Sequence, residues 1–203
     1  MSRSRDLRGY WFRTGHRTRL TQQLRPLIRG IDGTALDVGG GRDAPHDGAW
    51  GQGARRIRID ISPLHRPDVL ADAAWLPVSD RSVDAIVLVE VLEHVSDPRR
   101  LLAEAARTLR PGGVVIGSVP FVFPIHGDPH DYFRYTADGL RSLLQGFDIV
   151  RVLPIGNHWS AAWTLVAARS RALRILNPLM RRLGGTPSAT CPQGYVFTAR
   201  THR

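Results

Sequence analysis

Four carboxylates stand at or just beyond short apolar, β-branched runs, and the residues beside each one limit what it could hold. Asp37 lies in Leu36-Asp37-Val38-Gly39-Gly40-Gly41-Arg42-Asp43, where three successive glycines let the backbone approach a ligand and leave N–H groups free to donate. Asp60, in Arg58-Ile59-Asp60-Ile61-Ser62, can accept two neighbouring hydroxyls in a bidentate pair. Asp72, in Leu70-Ala71-Asp72-Ala73-Ala74-Trp75-Leu76-Pro77, can take an exocyclic amine while Ala73 and Leu76 lie against a ring. Glu90 follows Val89 at the end of an apolar run, where the last strand carbonyls become available to a ligand. A second kind of chemistry gathers in residues 121–136, which hold His126, His130, Asp128, Asp131, Tyr132, Tyr135, Arg134 and Phe121. His130 is a candidate general base with Asp131 and His126 as possible helpers, and Arg134 with the aromatics Phe121, Tyr132 and Tyr135 could grip an acceptor. Neighbours in sequence rarely bond through their side chains, so Asp131, Arg134 and Thr136 can equally staple the loop to the next helix.

The glycine turn fits two ligands. Gly39, Gly41 and Ala44 satisfy the G-x-G-x-x-A dinucleotide pattern, with Asp60 following at about the 20-residue distance that pattern expects. Against a dinucleotide stands Asp37, a carboxylate that repels a pyrophosphate and welcomes a cation. Asp43, Pro45, His46, Asp47, Gly48, Gly51 and Gly53 also leave little helix after the turn, and so little dipole for a phosphate. A cationic, phosphate-free nucleoside such as S-adenosylmethionine suits these carboxylates better.

The elements that would carry these residues alternate. Strand-like runs occupy 35–38, 56–59, 85–89, 114–119, 149–153 and 194–201, each bounded by Gly, Pro or Asp. Helical spacing marks 17–28, 98–109, 136–144 and 158–176, and Asn177-Pro178 starts a further short helix to Leu183. The second of these has Asp97 as its N-cap before Pro98, and Pro111-Gly112-Gly113 to stop it. Apolar strands separated by helices imply an α/β fold, a doubly wound, mostly parallel sheet covered on both faces.

The ordered series LDVGGGRD, RIDIS and ADAAWLPVSDRSVDAIVLVEVLEHVSDPRRLLAEAARTLRPGGVVIGSVP resembles the class I S-adenosylmethionine-dependent methyltransferases, in the group that modifies small molecules, lipids and sugars. The resemblance covers residues 34–120. It implies a seven-stranded Rossmann-like sheet in a single domain spanning 1–203. The parts would be a docking helix region (1–30), a cofactor core (34–120) and an acceptor side (121–203) with a helical insertion before the last strand. It further implies that Gly39, Gly40 and Gly41 face the methionine part of the cofactor and that Asp37 meets its ammonium, usually through water. Asp60 and Ile61 would hold the ribose, Asp72 and Ala73 the adenine, and Val89 and Glu90 the methionine end. The third glycine usual in such a turn is Asp43 here. Methyl transfer from a sulfonium needs an aligned acceptor and removal of its proton, and no metal is expected. His126, Asp128 and His130 have metal-ligand chemistry but no matching ligands elsewhere in the motif series.

Charge narrows the partners. The 203 residues carry a net +10 without a single lysine, so every fixed positive charge is a guanidinium. Residues 1–30 and 151–203 are basic and the middle acidic, a pattern that fits either a solvated basic surface or an anionic partner. Helix 158–183, with Trp and Leu interspersed with Arg, is expected mainly to cover the acceptor pocket, with the inner membrane surface as a further contact. One cysteine, Cys191, excludes an internal disulfide and fits a reducing compartment. The N-terminus lacks a secretory apolar run, and its Arg-rich character also matches a mitochondrial presequence. The expected location is the cytoplasm. The reading is therefore methyl transfer to a small-molecule, glycan or lipid-linked acceptor, on oxygen. An RNA methyltransferase and a non-catalytic nucleotide-binding protein of the same fold are the rivals, and the first has no N-P-P-Y-type motif or separate RNA-binding module behind it.

Overall fold

The computed structural model describes residues 15–41, 44–127, 130–169, 176–177 and 185–202. Residues 1–14 of the expected docking region, Asp43, Asp128 and the expected short helix ending at Leu183 lie outside them. In chain order the elements are α1 (Gly15–Arg29), β1 (Gly33–Val38), β2 (Ala54–Asp60), β3 (Val69–Leu70), β4 (Val83–Val89), α2 (Pro98–Thr108), β5 (Leu109–Pro120), α3 (Ala137–Leu143), β6 (Asp148–Ile155), α4 (His158–Arg169) and β7 (Gly194–Arg200). The strands form one seven-stranded sheet in the order β3-β2-β1-β4-β5-β7-β6. β1 to β5 run parallel, while β7 is antiparallel to both β5 and β6.

Period-two alternation along the strands gives the sheet two buried faces. On one side Leu36, Ile86, Leu88, Val115 and Phe197 pack with Leu101, Leu102 and Ala105 of α2. On the other, Ala35, Ala85, Val87, Ile116 and Val196 pack under Leu20, Leu24 and Ile28 of α1, whose four-residue spacing places them on one helical face. Two details differ from the sequence expectation. β3 is only two residues long, too short to show a strand pattern, yet Val69 and Leu70 pair in parallel with Ile59 and Asp60. Pro111-Gly112-Gly113 does not lie outside the strand. β5 begins immediately after α2, and its pairing with β4 steps from Val83–Leu109 to Ala85–Val114, so these residues form an irregularity within it. Among the described residues no helix is long and apolar enough to cross a membrane.

α2 starts as its sequence requires, with the Asp97 side chain accepting from the Arg100 N–H at 3.0 Å ahead of Pro98. Its Glu104 fastens the loop before β4. One carboxylate oxygen accepts from the Leu76 N–H at 3.0 Å, and Arg107 donates to both oxygens at 2.8 and 2.9 Å. The Arg107 bonds outweigh burial and hold Glu104 below the ordinary carboxylate range. A depressed folded pKa stabilises fully above the unfolded value and ceases to do so as pH falls through the folded one. Glu104→Gln is therefore expected to lower the urea midpoint at pH 7 by the equivalent of about 1 kcal/mol, the scale of a partly exposed charge-assisted pair. The gap from the native protein should close below the normal glutamate range. A gap that persists unchanged at pH 3 would remove the ionic explanation.

Candidate active site

The carboxyl ends of β1, β2 and β4 open into a cavity of about 410 Å³. Its walls include Val38 and Gly39 after β1, Asp60, Ile61 and His65 after β2, Asp72 and Ala73 after β3, and Glu90 and Val91 after β4. His94, His130 and Tyr132 form another part of the wall. This is where an open α/β sheet binds ligands, because the strand order reverses between β1 and β4 and the loops diverge there.

Several of the expected residues come together in this cavity: Gly39, Asp60, Ile61, Asp72, Ala73, Glu90, His130 and Tyr132. Gly39 adopts φ +70°, a backbone that favours glycine, and a side chain there would press on Val91 at 2.6 Å. Asp60 is 7% exposed, with Oδ1 accepting from the Ser62 N–H at 2.8 Å and Oδ2 held 2.9 Å from His65 Nδ1. Both oxygens keep lone pairs for further donors. Asp72 is exposed, fixed by the Ala74 N–H at 2.8 Å.

Asp37 departs from expectation. It is wholly buried, and its carboxylate is spent on Arg56, whose Nε donates at 2.8 Å, and on His46 Nε2 at 2.8 Å. It does not line the cavity, and nor do Gly40, Gly41 and Val89. Gly40 instead lets the turn fold over Asp37, since a Cβ there would meet the carboxylate at 1.9 Å.

Glu90 sits at the β4 terminus with φ +56°, a strained conformation for a non-glycine residue. The strain is held by the Glu90 N–H donating to the Ser118 carbonyl at 3.0 Å, and by the Ser118 hydroxyl donating to Glu90 Oε1 at 2.8 Å. Burial opposes ionisation of Glu90, but His16 of α1, 3.6 Å away, together with Ser118 and His126, keeps it below the usual glutamate range. Glu93 is displaced the opposite way: burial, then the Glu90 charge, push its carboxyl well above that range. Two neighbouring carboxyls are thus shifted in opposite directions.

The 121–136 loop docks on the turn Leu92–His94 by three bonds. Tyr132 N–H donates to the Glu93 carbonyl at 2.7 Å, Tyr135 Oη to the Leu92 carbonyl at 3.1 Å, and His94 Nδ1 to the His130 carbonyl at 2.5 Å. These contacts leave the His130 ring and Tyr132 on the cavity wall, 5.5 Å apart. The other expected acceptor-side residues serve the loop itself. Asp131 bonds Arg134, not His130, through a bidentate pair, and accepts from the His126 N–H at 2.8 Å. Arg134 also donates to the carbonyls of Phe133 and Pro124. Burial, then Glu93, raise the Tyr135 phenol above its normal pKa, and its hydroxyl is already committed to Leu92. Phe121 packs on Tyr195, with ring centres 5.9 Å apart. His126 is 9% exposed and lies against His94 outside the cavity lining. Sequence reasoning passed over His65, His94 and Glu93. His65 left no signal beyond lying five residues after Asp60, whereas Glu93-His94 stood in plain view beside Glu90.

A methyltransferase-domain family matches residues 36–117. A Mycobacterium tuberculosis protein named as a probable S-adenosylmethionine-dependent methyltransferase is 31% identical over 90% of this chain and 71% of its own length. The ubiquinone biosynthesis O-methyltransferase of Alkalilimnicola ehrlichii is 27% identical over 86% of this chain and 72% of its own. Among solved structures, an S-adenosylmethionine-dependent methyltransferase from Archaeoglobus fulgidus superposes with a TM-score of 0.62 at 18% identity, over 91% of this chain and 94% of that one, which shows a shared fold.

Proposed function

The chain belongs to the class I S-adenosylmethionine-dependent methyltransferases, and from that membership we propose that it methylates a hydroxyl oxygen on a small, largely apolar acceptor, a free metabolite or a glycan or lipid precursor, seated beside His130 and Tyr132. The observation that carries the reading is the charge of the cavity. In a protein of net +10, its described lining holds the carboxylates of Asp60, Asp72, Glu90 and Asp97 and no arginine. That wall suits a cationic, phosphate-free nucleoside and opposes a pyrophosphate or a nucleic-acid backbone. The naming of a similar chain as an O-methyltransferase supports oxygen as the receiving atom.

When bound, S-adenosylmethionine supplies an electrophilic methyl group whose sulfur leaves as a neutral thioether. In this reading the Asp60 carboxylate accepts from the ribose hydroxyls, Asp72 takes the adenine amine, and Gly39 gives the backbone room to approach. Glu90 faces the cationic end. The His130 imidazole takes the acceptor's proton, with Tyr132 bounding the acceptor's ring or chain.

Asp60→Ala is expected to weaken S-adenosylmethionine binding by about 1–3 kcal/mol, the scale of a lost hydrogen-bond partner of charged type. Calorimetric titration checks it, with NADH as the competing ligand. Unchanged affinity in a folded variant, or tight NADH binding by the native protein, overturns the assignment.

A further inference from the structure

We propose that Glu93, His94 and His126 form a binding site for a divalent transition-metal ion, zinc above all, in the wall between the loop and the cavity. One potential ligand atom from each residue lies within 4.8 Å of the other two. The site joins two elements, because Glu93 and His94 belong to the turn after β4 while His126 comes from the 121–136 loop docked upon it.

Three independent features point to a cation. The Glu93 carboxylate is 0% exposed and neither of its oxygens has a hydrogen-bond partner. His94 Nε2 stands 3.6 Å from Oε1. An ionised carboxylate in that position is costly unless something positive meets it. Next, both imidazoles turn Nδ1 to a backbone carbonyl, His94 to that of His130 and His126 to that of Pro124 at 3.2 Å, with Asp131 Oδ2 3.3 Å from the same His126 nitrogen. Donation from Nδ1 fixes the tautomer in which Nε2 carries the lone pair, and this outer-shell pattern accompanies metal-ligating histidines. Finally, the rings meet edge to face with centres 4.9 Å apart. A contraction of up to about 1.4 Å brings the ligand atoms to the spacing of about 3.4 Å that tetrahedral bonds of about 2.1 Å require.

Two imidazoles and one carboxylate suit zinc, cobalt or nickel and disfavour magnesium, which demands oxygen ligands. Three protein ligands leave a coordination position for solvent or for an oxygen of a bound molecule, the pattern of catalytic rather than purely structural zinc sites. His94 also lines the cavity, so that oxygen would be the acceptor hydroxyl. This last clause rests on the methyltransferase reading, whereas the site itself does not. The sequence offered His126, Asp128 and His130 as residues of metal-ligand type without matching ligands elsewhere, and of these only His126 belongs to the present cluster.

The test measures zinc uptake by the chelator-treated protein in equilibrium dialysis, with S-adenosylmethionine titrated calorimetrically into the same samples. The native chain should retain one zinc ion and no magnesium, and zinc at about a hundredfold over its Kd should raise Tm by roughly 5–10 °C. Glu93→Gln and His126→Ala should each lose uptake by at least tenfold, while exposed His202→Ala keeps it. Glu93→Gln carries a second readout: its Tm should gain nothing from zinc under the conditions that give the native protein its full shift. Failure of the native chain to take up zinc, or uptake undiminished in both ligand variants, overturns the site. Because cofactor affinity is read separately, either result leaves the S-adenosylmethionine assignment standing or falling on its own data.

Discussion

His130→Ala is expected to lower kcat by about 10²-fold or more, at the lower end of what a positioned general base contributes, while leaving the Kd for S-adenosylmethionine within roughly threefold. The geometry makes this a clean substitution. His130 anchors the loop through its backbone carbonyl, which accepts from His94, and alanine keeps that carbonyl. The ring is exposed on the cavity wall and makes its contact with Tyr132, so its removal opens no buried hole. A proton acceptor lost in this way affects the transition state and not the bound cofactor, so kcat and kcat/KM should fall together. The check is steady-state release of S-adenosylhomocysteine with a panel of phenolic and aliphatic hydroxyl acceptors, alongside calorimetry. Full turnover in the variant returns His130 to a purely structural role and sends the search for the base elsewhere.

Asp37→Ala is expected to cost about 3 kcal/mol of stability, the lower end of the range for breaking a buried ion pair. The carboxylate is 0% exposed between Arg56 and His46. Removing it strands His46, which is 2% exposed, while Arg56 retains Asp47 at 2.6 Å, which is why the lower figure applies. The same variant should bind S-adenosylmethionine, in its folded fraction, with less loss than Asp60→Ala. Those two readouts separate a residue that builds the glycine turn from one that meets a ligand's ammonium. A variant of native stability and grossly weakened cofactor affinity would return Asp37 to the ligand's ammonium.

How far the sequence reaches is visible in these two residues. The continuous apolar runs that bury both faces of the sheet, the Asp97-Pro98 start of α2 and the placement of carboxylates after successive strands are local patterns, so their positions could be read directly. Asp37 was equally conspicuous, but its partners stand 9 and 19 residues away in sequence and β1–β2 pairing brings Arg56 to it. The acceptor loop divides for the same reason. Its composition announced a base and a grip, yet only the docking on Leu92–His94 decides that His130 and Tyr132 face the cavity while Asp131, Arg134 and Tyr135 hold the loop in shape. β3 was missed because two residues carry no periodicity, although its pairing with β2 fixes the segment that carries Asp72.

The placement of β7 between β5 and β6 governs the order in which a growing chain can acquire its structure. A ribosome that has released residues up to β6 has delivered the whole cofactor side of the sheet, but β6 still has no neighbour with which to hydrogen-bond. Until Gly194–Arg200 emerges, the far edge of β5 presents a long, largely buried-type strand to any passing chain. The interval between the emergence of β5 and that of Gly194–Arg200 is therefore the one of greatest exposure to aggregation, and the point at which a chaperone has most to protect.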